Sequence, residues 1–306
     1  MKKIITIVSL TFLVAQDEFF EPGVNLGGYG ELHYTNSVDP DSDDDPTTEL
    51  DFHRWILFVN YNWTSEWSFK SELEIEHNMI DGNGDYDGEV ELEQAYVNYH
   101  DAKGNWGYGA GVVLISAGII NEIHEPPTFL SVERPAYNKN IIPTTWFGNG
   151  AMAYGSFGDF HVKFVLHEDM KGESMISGTS FSGLRGGRSK GYKSTAYSWI
   201  KNIAMHYNGI SGLNVGGSFT FNDAPINGDK DNNVAWNLFE VHAQYNANNV
   251  IGAFEFGQVK FTHNAPDGTD PADILTDQVA SGYYMHLGYN VALLIGWEDC
   301  KLVPWF

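Results

Sequence analysis

The sequence predicts an all-β protein, a transmembrane antiparallel β-barrel. Three observations carry that expectation. Apolar and polar residues alternate with period two in segments of about ten residues, while helical periodicity is almost absent. The connections between these segments alternate strictly between short and long. The N-terminus has the form of an export signal.

That N-terminus opens Met1-Lys2-Lys3 and continues with an apolar run from Ile4 to Ala15. A basic start and a short apolar stretch are the two parts of a secretory signal peptide. The run is too short for a membrane helix, which takes roughly 20 residues. The polar switch at Gln16-Asp17-Glu18 places cleavage near Ala15-Gln16, although Leu13 is larger than usual three residues before a cut. The division is a signal peptide over 1–16 and a barrel over 17–306. A buried N-terminal strand is the competing reading, and the paired lysines speak against it.

Strands are expected near 24–35, 50–61, 66–77, 89–100, 105–116, 147–157, 159–169, 196–207, 211–221, 234–245, 249–261, 279–290 and 293–303. Long connections cover 36–49, 78–88, 117–146, 170–195, 222–233 and 262–278. Short ones cover 62–66, 101–104, the turn at Gly158, 208–210, 246–248 and 291–292. Outer-membrane barrels have short periplasmic turns and long extracellular loops in this order. A soluble sandwich has no reason to keep it.

Several segments sort into faces. Trp67, Phe69, Leu73 and Ile75 oppose Lys70, Glu72, Glu74 and Glu76; Phe160, Val162, Phe164 and Leu166 oppose His161, Lys163 and His167. Leu213, Val215, Phe219 and Phe221 oppose Asn214, Ser218 and Thr220, and Phe239, Val241, Ala243 and Tyr245 oppose Glu240, His242 and Gln244. Alternation alone does not say which face is inside. Aromatics gather beside the short turns, among them Tyr61, Trp67, Tyr99, Trp106, Phe160 and Tyr245, as in an interfacial girdle. That places the apolar face outside. The expected pore lining is then Glu31, Lys70, Glu72, Glu74, Glu76, Lys163, Glu240 and Glu255. Two segments do not sort: Asp51 to Arg54, and Glu91 and Glu93 beside Ala95.

A net charge of -23 excludes a generic nucleic-acid binder, which needs a basic face. The lone Cys300 makes no internal disulfide and suits no cysteine-based metal site. No G-x-S-x-G elbow is present, and His124-Glu125-Pro126-Pro127 has prolines where a zincin needs helix. Asp39, Asp41, Asp43, Asp44 and Asp45 crowd one loop, and Asp81, Asn83, Asp85 and Asp87 another. The second run fails the EF-hand pattern, with Tyr86 at the glycine position and Leu92 at the closing glutamate, so both read as solvated acidic loops with no built metal site, loose bridging by divalent ions being the alternative.

One stretch is more specific than composition. Gly118 to Phe129, Val132-Glu133-Arg134-Pro135 and Asn140 to Trp146 resemble the large third loop of the porin family grouped with the phosphate-selective porins O and P. Gly27 to Tyr34, Glu91 to Val97 and Leu184 to Gly191 fit as well. The resemblance runs from Gln16 to about Tyr245. It implies a barrel, commonly of 16 strands and often a homotrimer, that passes small hydrophilic solutes. About thirteen strands are visible here. Pro304 interrupts the final one before Phe306, and the segment 298–301 does not alternate, so the chain is expected to be cut short or frame-altered with closing strands missing.

The third loop of general porins folds into the lumen, and the resemblance implies the same for 117–146. Pro126, Pro127, Pro135 and Pro143 would stiffen it. Glu122, Glu125, Glu133, Arg134 and Lys139 would then set a field across the constriction. Arg185, Arg188, Lys190 and Lys193 form the one dense basic cluster, a collector of anions or lipopolysaccharide phosphates or else a solvated loop. The sequence thus reads as a passive porin, a diffusion channel and not an enzyme, with no cofactor. Its partners would be outer-membrane lipid, lipopolysaccharide and small solutes or ions. A barrel-embedded hydrolase and a secreted glycan-binding sandwich are the alternatives.

Overall fold

The computed structural model describes residues 21–37, 47–78, 88–297 and 299–306. The expected signal peptide and both aspartate-rich runs, 39–45 and 81–87, lie outside the described residues. Seven strands lead the chain: β1 Gly23–Ser37, β2 Thr47–Asn62, β3 Trp67–Glu76, β4 Val90–His100, β5 Trp106–Leu114, β6 Phe147–Phe157 and β7 Phe160–His167. A two-stranded ribbon, β8 Ile176–Ser177 and β9 Ser180–Phe181, comes next within a long connection. The remaining strands are β10 Ile200–Ile210, β11 Leu213–Ile226, β12 Asp229–Ala247, β13 Val250–Asn264 and β14 Gln278–Tyr289. Apart from the ribbon, each strand pairs antiparallel with its neighbour in sequence, giving one 12-stranded sheet in the order β1 to β7, then β10 to β14.

The sheet turns its apolar face outward. Leu26, Phe164, Leu166, Met205, Phe239, Tyr283 and Met285 are exposed, and their neighbours Glu72, Glu240, Glu255, Thr220 and Asn202 are buried. A water-soluble sandwich would show the reverse. The partition is that of a barrel bathed in lipid, with every strand bonded along its length so that few backbone groups face hydrocarbon. Aromatics mark one rim: Tyr99 lies 5.0 Å from Trp67, 5.5 Å from Trp106 and 5.1 Å from Tyr108, and Phe160 4.9 Å from Tyr207, between ring centroids. This is the architecture of an outer-membrane β-barrel. Among the described residues β1 and β14 are not paired with each other.

Two bulges explain the segments that did not sort. Opposite Leu32, β2 carries two residues, Phe52 and His53, so the register slips between the pairs Glu31–Arg54 and His33–Asp51. His53 and Arg54 then both belong to the polar side. On β4 the register slips between Glu72–Gln94 and Leu73–Leu92, leaving Glu93 unpaired. Glu93 and Gln94 both turn inward, Glu93 to His124 and Gln94 to Glu72. A bulge inserts one residue and re-aims the side chains beyond it.

Three expectations about connections are corrected. The loop expected at 222–233 is a hairpin: β11 and β12 run on to a two-residue turn, Asn227-Gly228, with φ of 51° and 78°. Such paired positive φ values are those of a type I′ turn, which suits Asn-Gly. The thirteenth sheet strand, 293–303, does not form. Ala292–Ile295 is a 3-10 turn, and the chain returns to the sheet further on, at 302–306, in a bridge between Trp305 and Gly288 flanked by backbone bonds to Leu287, Tyr289 and Val291. Accordingly 291–292 is no hairpin turn.

The face assignment has a direct test. Val162→Arg or Phe239→Arg should lower the yield of folded protein in lipid vesicles, since Arg on the lipid face costs roughly 2–4 kcal/mol near the midplane. Lys70→Gln, on the inner face, should fold like the parent. Equal folding of all three, read by heat-dependent gel migration, would mean the faces are inverted.

Candidate functional site

The residues between β5 and β6 lie inside the sheet's curve. Asn121 pins their two ends together. Its Nδ2 donates to the Ile115 carbonyl at 2.7 Å and the Trp146 carbonyl at 3.2 Å, and its Oδ1 accepts from the Trp146 amide at 2.8 Å. A short helix, α1 Tyr137–Asn140, stands further along. From this base the connection touches the wall nearly all the way round. Glu133 approaches His33 of β1, and His124 reaches Glu72 of β3 and Glu93 of β4. Glu122 pairs with Lys163 of β7, and Asn202 of β10 donates to the Ser116 carbonyl. The Gly118 and Ile119 amides donate to Glu240 of β12 and Glu255 of β13. Tyr137 stacks 5.6 Å from Tyr284 of β14. A single connection can touch both ends of a 12-stranded sheet only if the sheet wraps around it. At Gly118, φ is 71° and a Cβ would come within 2.1 Å of Glu255, so only glycine passes there.

Apolar packing seats one side. Ile115, Ile142 and Trp146 pack with Trp236, Leu238 and Val259 of β12 and β13 and with Met170 and Leu184 of the next long connection. The indole rings of Trp146 and Trp236 lie 5.8 Å apart. Towards β2 to β7 the interior is polar instead. A cavity of about 400 Å³ is lined by Lys70, Tyr96, Ser116, Glu122, Lys163 and His206, among others. A second of about 320 Å³, reaching Asn60 and Gln94, shares Lys70, Tyr96, Glu122 and Lys163 with it. Beyond His124 a third, about 280 Å³, lies between Glu74, Glu76, Glu89, Glu91 and Glu93 on one hand and Arg185, Arg188 and Lys190 on the other.

Between these cavities lies a layer of paired charge. Arg54 Nε lies 2.9 Å from Glu31 and its Nη1 lies 3.0 Å from Glu74, with Glu76 at 3.8 Å, in ion pairs. His124 Nε2 sits 2.9 Å from Glu93 and 3.5 Å from Glu72, all three buried. Burial alone would lower the His124 pKa, yet the bonds to Glu72 and Glu93 outweigh it and push the imidazole up to about 10. The connection is thus fastened by an imidazolium held between two carboxylates.

The expected pore lining is all on the inner face, in two kinds of place. Lys70 and Lys163 border the cavities. Glu31, Glu72, Glu74 and Glu240 are held in pairs, Glu240 with His242 at 2.5 Å, while Glu255 lies buried beneath Gly118 and Ile119. Of the expected constriction residues, Glu122 is paired to Lys163, Arg134 donates to Thr145 at 3.2 Å, Glu125 is half-buried, and Glu133 and Lys139 are exposed. Three of the four basic-loop residues make hydrogen bonds to neighbouring parts of the chain. Arg185 donates to the Thr144 carbonyl, Arg188 to the carbonyls of Pro143 and Thr145, and Lys190 to Glu89 and Glu91. Lys193 lies over the Tyr192 ring. Sequence reasoning did not place Arg54, Glu93, Asn121 or His124 in the site. The broken alternation at 51–54 and 91–95 was the available signal for the first two.

No family model matches the chain. An uncharacterized protein of Aquifex aeolicus is 44% identical over 151 residues, which span 49% of this chain and 33% of the relative. The aligned region is thus about a third of that relative's length. Among solved structures, the trimer form of OmpT, an outer membrane protein of Vibrio cholerae, is similar at a TM-score of 0.44 and 11% identity, covering 88% of this chain and 84% of that one. Salmonella typhi OmpF in complex with daunomycin is similar at 0.42 and 11%, covering 87% and 84%. The expectation that the chain is not an enzyme is withdrawn, because a β-barrel fold does not by itself separate catalysis from passage.

The seat of the connection has a pH signature. The His124 pKa is raised above its unfolded value near 6.5, so its contribution is complete below that value and lost as pH rises through about 10. Hydrogen-exchange protection of 118–124 should be flat from acid to neutral pH and fall as pH approaches 10. His124→Ala leaves Glu72 and Glu93 buried without their cation, a loss of about 3–5 kcal/mol. Protection unchanged in that variant would mean the apolar side alone holds the connection.

Proposed function

We propose that the chain forms a diffusion channel for small hydrophilic solutes or ions in the bacterial outer membrane, narrowed by the connection between β5 and β6. The observation that carries this reading is the partition: apolar residues face outward, while a polar interior holds cavities of about 400 and 280 Å³ on either side of an ion-paired layer. A lumen lined by charge and narrowed by a fixed loop selects by width and field. The short turns face the periplasm in this reading, and a homotrimer surrounded by lipid and lipopolysaccharide belongs to it, as the resemblance to the porin family implies.

Selectivity depends on the charges that water reaches. In the outer cavity five carboxylates stand against Arg185, Arg188 and Lys190. In the inner cavities Lys70 and Lys163 face Glu122. The balance is slightly acidic, and fixed acids raise the local concentration of cations. No stacked array of Arg and Lys donors lines the described wall as a phosphate channel requires.

In planar bilayers the full chain should give stepwise ohmic conductance, with a reversal potential in a KCl gradient showing weak cation preference. Lys70→Glu should strengthen that preference. Absence of conductance steps from protein that has folded and inserted would sink the channel reading. Clear anion selectivity blocked by millimolar phosphate would sink the charge argument alone.

A further inference from the structure

We propose that the inner wall carries a binding site for a divalent transition-metal ion, formed by Asp51, His53 and His77. The three come from different places in the chain. Asp51 and His53 stand on β2, and the bulge opposite Leu32 turns His53 to the polar side. His77 comes just after β3 with a φ of 53°, and its amide donates to the His53 carbonyl at 3.0 Å, which brings its ring back beside β2.

The geometry is close to that of a coordination sphere. Asp51 Oδ2 lies 3.1 Å from His53 Nδ1 and 2.9 Å from His77 Nδ1, and the potential ligand atoms of all three residues fall within 4.8 Å of one another. Tetrahedral zinc with bonds of about 2.0–2.1 Å spaces its ligand atoms roughly 3.3 Å apart, so both distances to Asp51 need change by only a few tenths of an ångström. Behind the triad, the His33 ring stacks on His53 at 4.2 Å and 11°. His33 is itself held by Glu31 at 2.7 Å, with Glu133 at 3.5 Å. This backing fixes the His53 ring plane, as outer partners of metal ligands do.

The donor set narrows the ion. Two imidazoles and one carboxylate suit first-row transition metals such as zinc, iron(II), nickel or copper, whereas calcium and magnesium take oxygen ligands. Side-chain exposure of 20%, 20% and 37% for Asp51, His53 and His77 leaves the site open to water. Three protein ligands leave a fourth position for solvent, as in an open site and unlike a closed structural one. The engaged neighbours differ: the buried Glu72–Glu93–His124 group already holds its imidazolium and is closed to an ion.

The test is titration of the detergent-folded full chain with Zn²⁺ alone at neutral pH, by calorimetry, with Mg²⁺ as competitor. One ion per chain is expected, with no competition from Mg²⁺. His53→Ala and His77→Ala should each weaken binding at least about tenfold. Should either variant fold poorly, Asp51→Asn is the second variant. X-ray absorption of the Zn²⁺-loaded parent supplies an independent reading, with imidazole nitrogen expected in the first shell. No binding by the folded parent, affinity unchanged in the folded variants, an oxygen-only shell, or displacement by equimolar Mg²⁺ would each overturn the proposal.

Discussion

A sheet with lipid on its outside must put its polar side chains inside, and that constraint shapes the rest of the molecule. Burying a charge without a partner is costly, so an interior crowded with carboxylates needs cations and donors brought to it. The barrel wall supplies Arg54, whose single guanidinium lies within ion-pair distance of Glu31, Glu74 and Glu76. The connection between β5 and β6 supplies the rest. His124 answers Glu72 and Glu93, the Gly118 and Ile119 amides answer Glu240 and Glu255, and Glu122 meets Lys163. Its position inside is therefore set by the charge of the wall as much as by its apolar contacts with Trp236 and Leu238.

Strands with unbroken alternation were legible in sequence. β3 and β7 fall close to their expected spans, β11 and β12 cover theirs and run on towards each other, and the apolar residues of all four face outward as the aromatic rim suggested. Strands that carry function were harder to read, for a physical reason. A bulge adds one residue and inverts the parity beyond it. Asp51 to Arg54 and Glu91 to Gln94 looked unsortable because consecutive residues, His53 with Arg54 and Glu93 with Gln94, share the inner face. Irregular alternation was itself the mark of the site.

Other misreadings have their own causes. The polar residues at 222–233 suggested a loop, but a hairpin that outruns the membrane has no need of apolar alternation, and Asn227-Gly228 closes it. The segment after Tyr289 had the length of a strand, but the bend at Ala292–Ile295 separates it from the sheet. The ion pairs were not legible at all. Glu93 and His124 are 31 residues apart and Asn121 and Trp146 are 25 apart, and no periodicity reports contacts made across a lumen. The histidines showed the same limit: His33, His53 and His77 lie on three separate stretches and meet only once the strands are paired.

Counting charges and pairing them lead to different pictures of the interior. By count, the inner face is strongly acidic. By pairing, much of that charge has a partner: Glu72 and Glu93 meet His124 of the connection, while Glu31, Glu74 and Glu240 meet Arg54 and His242 of the wall. The cavities themselves are lined by Lys70 beside the Lys163–Glu122 pair, and by the glutamates of β3 and β4 against two arginines and a lysine. Because these residues line the cavities directly, salt in the medium screens them far less than it screens an exposed loop. A few remaining side chains, and not the overall charge of -23, therefore set the field in the lumen. The bulges matter here too, because placing two inward residues in succession concentrates that field at one level of the wall.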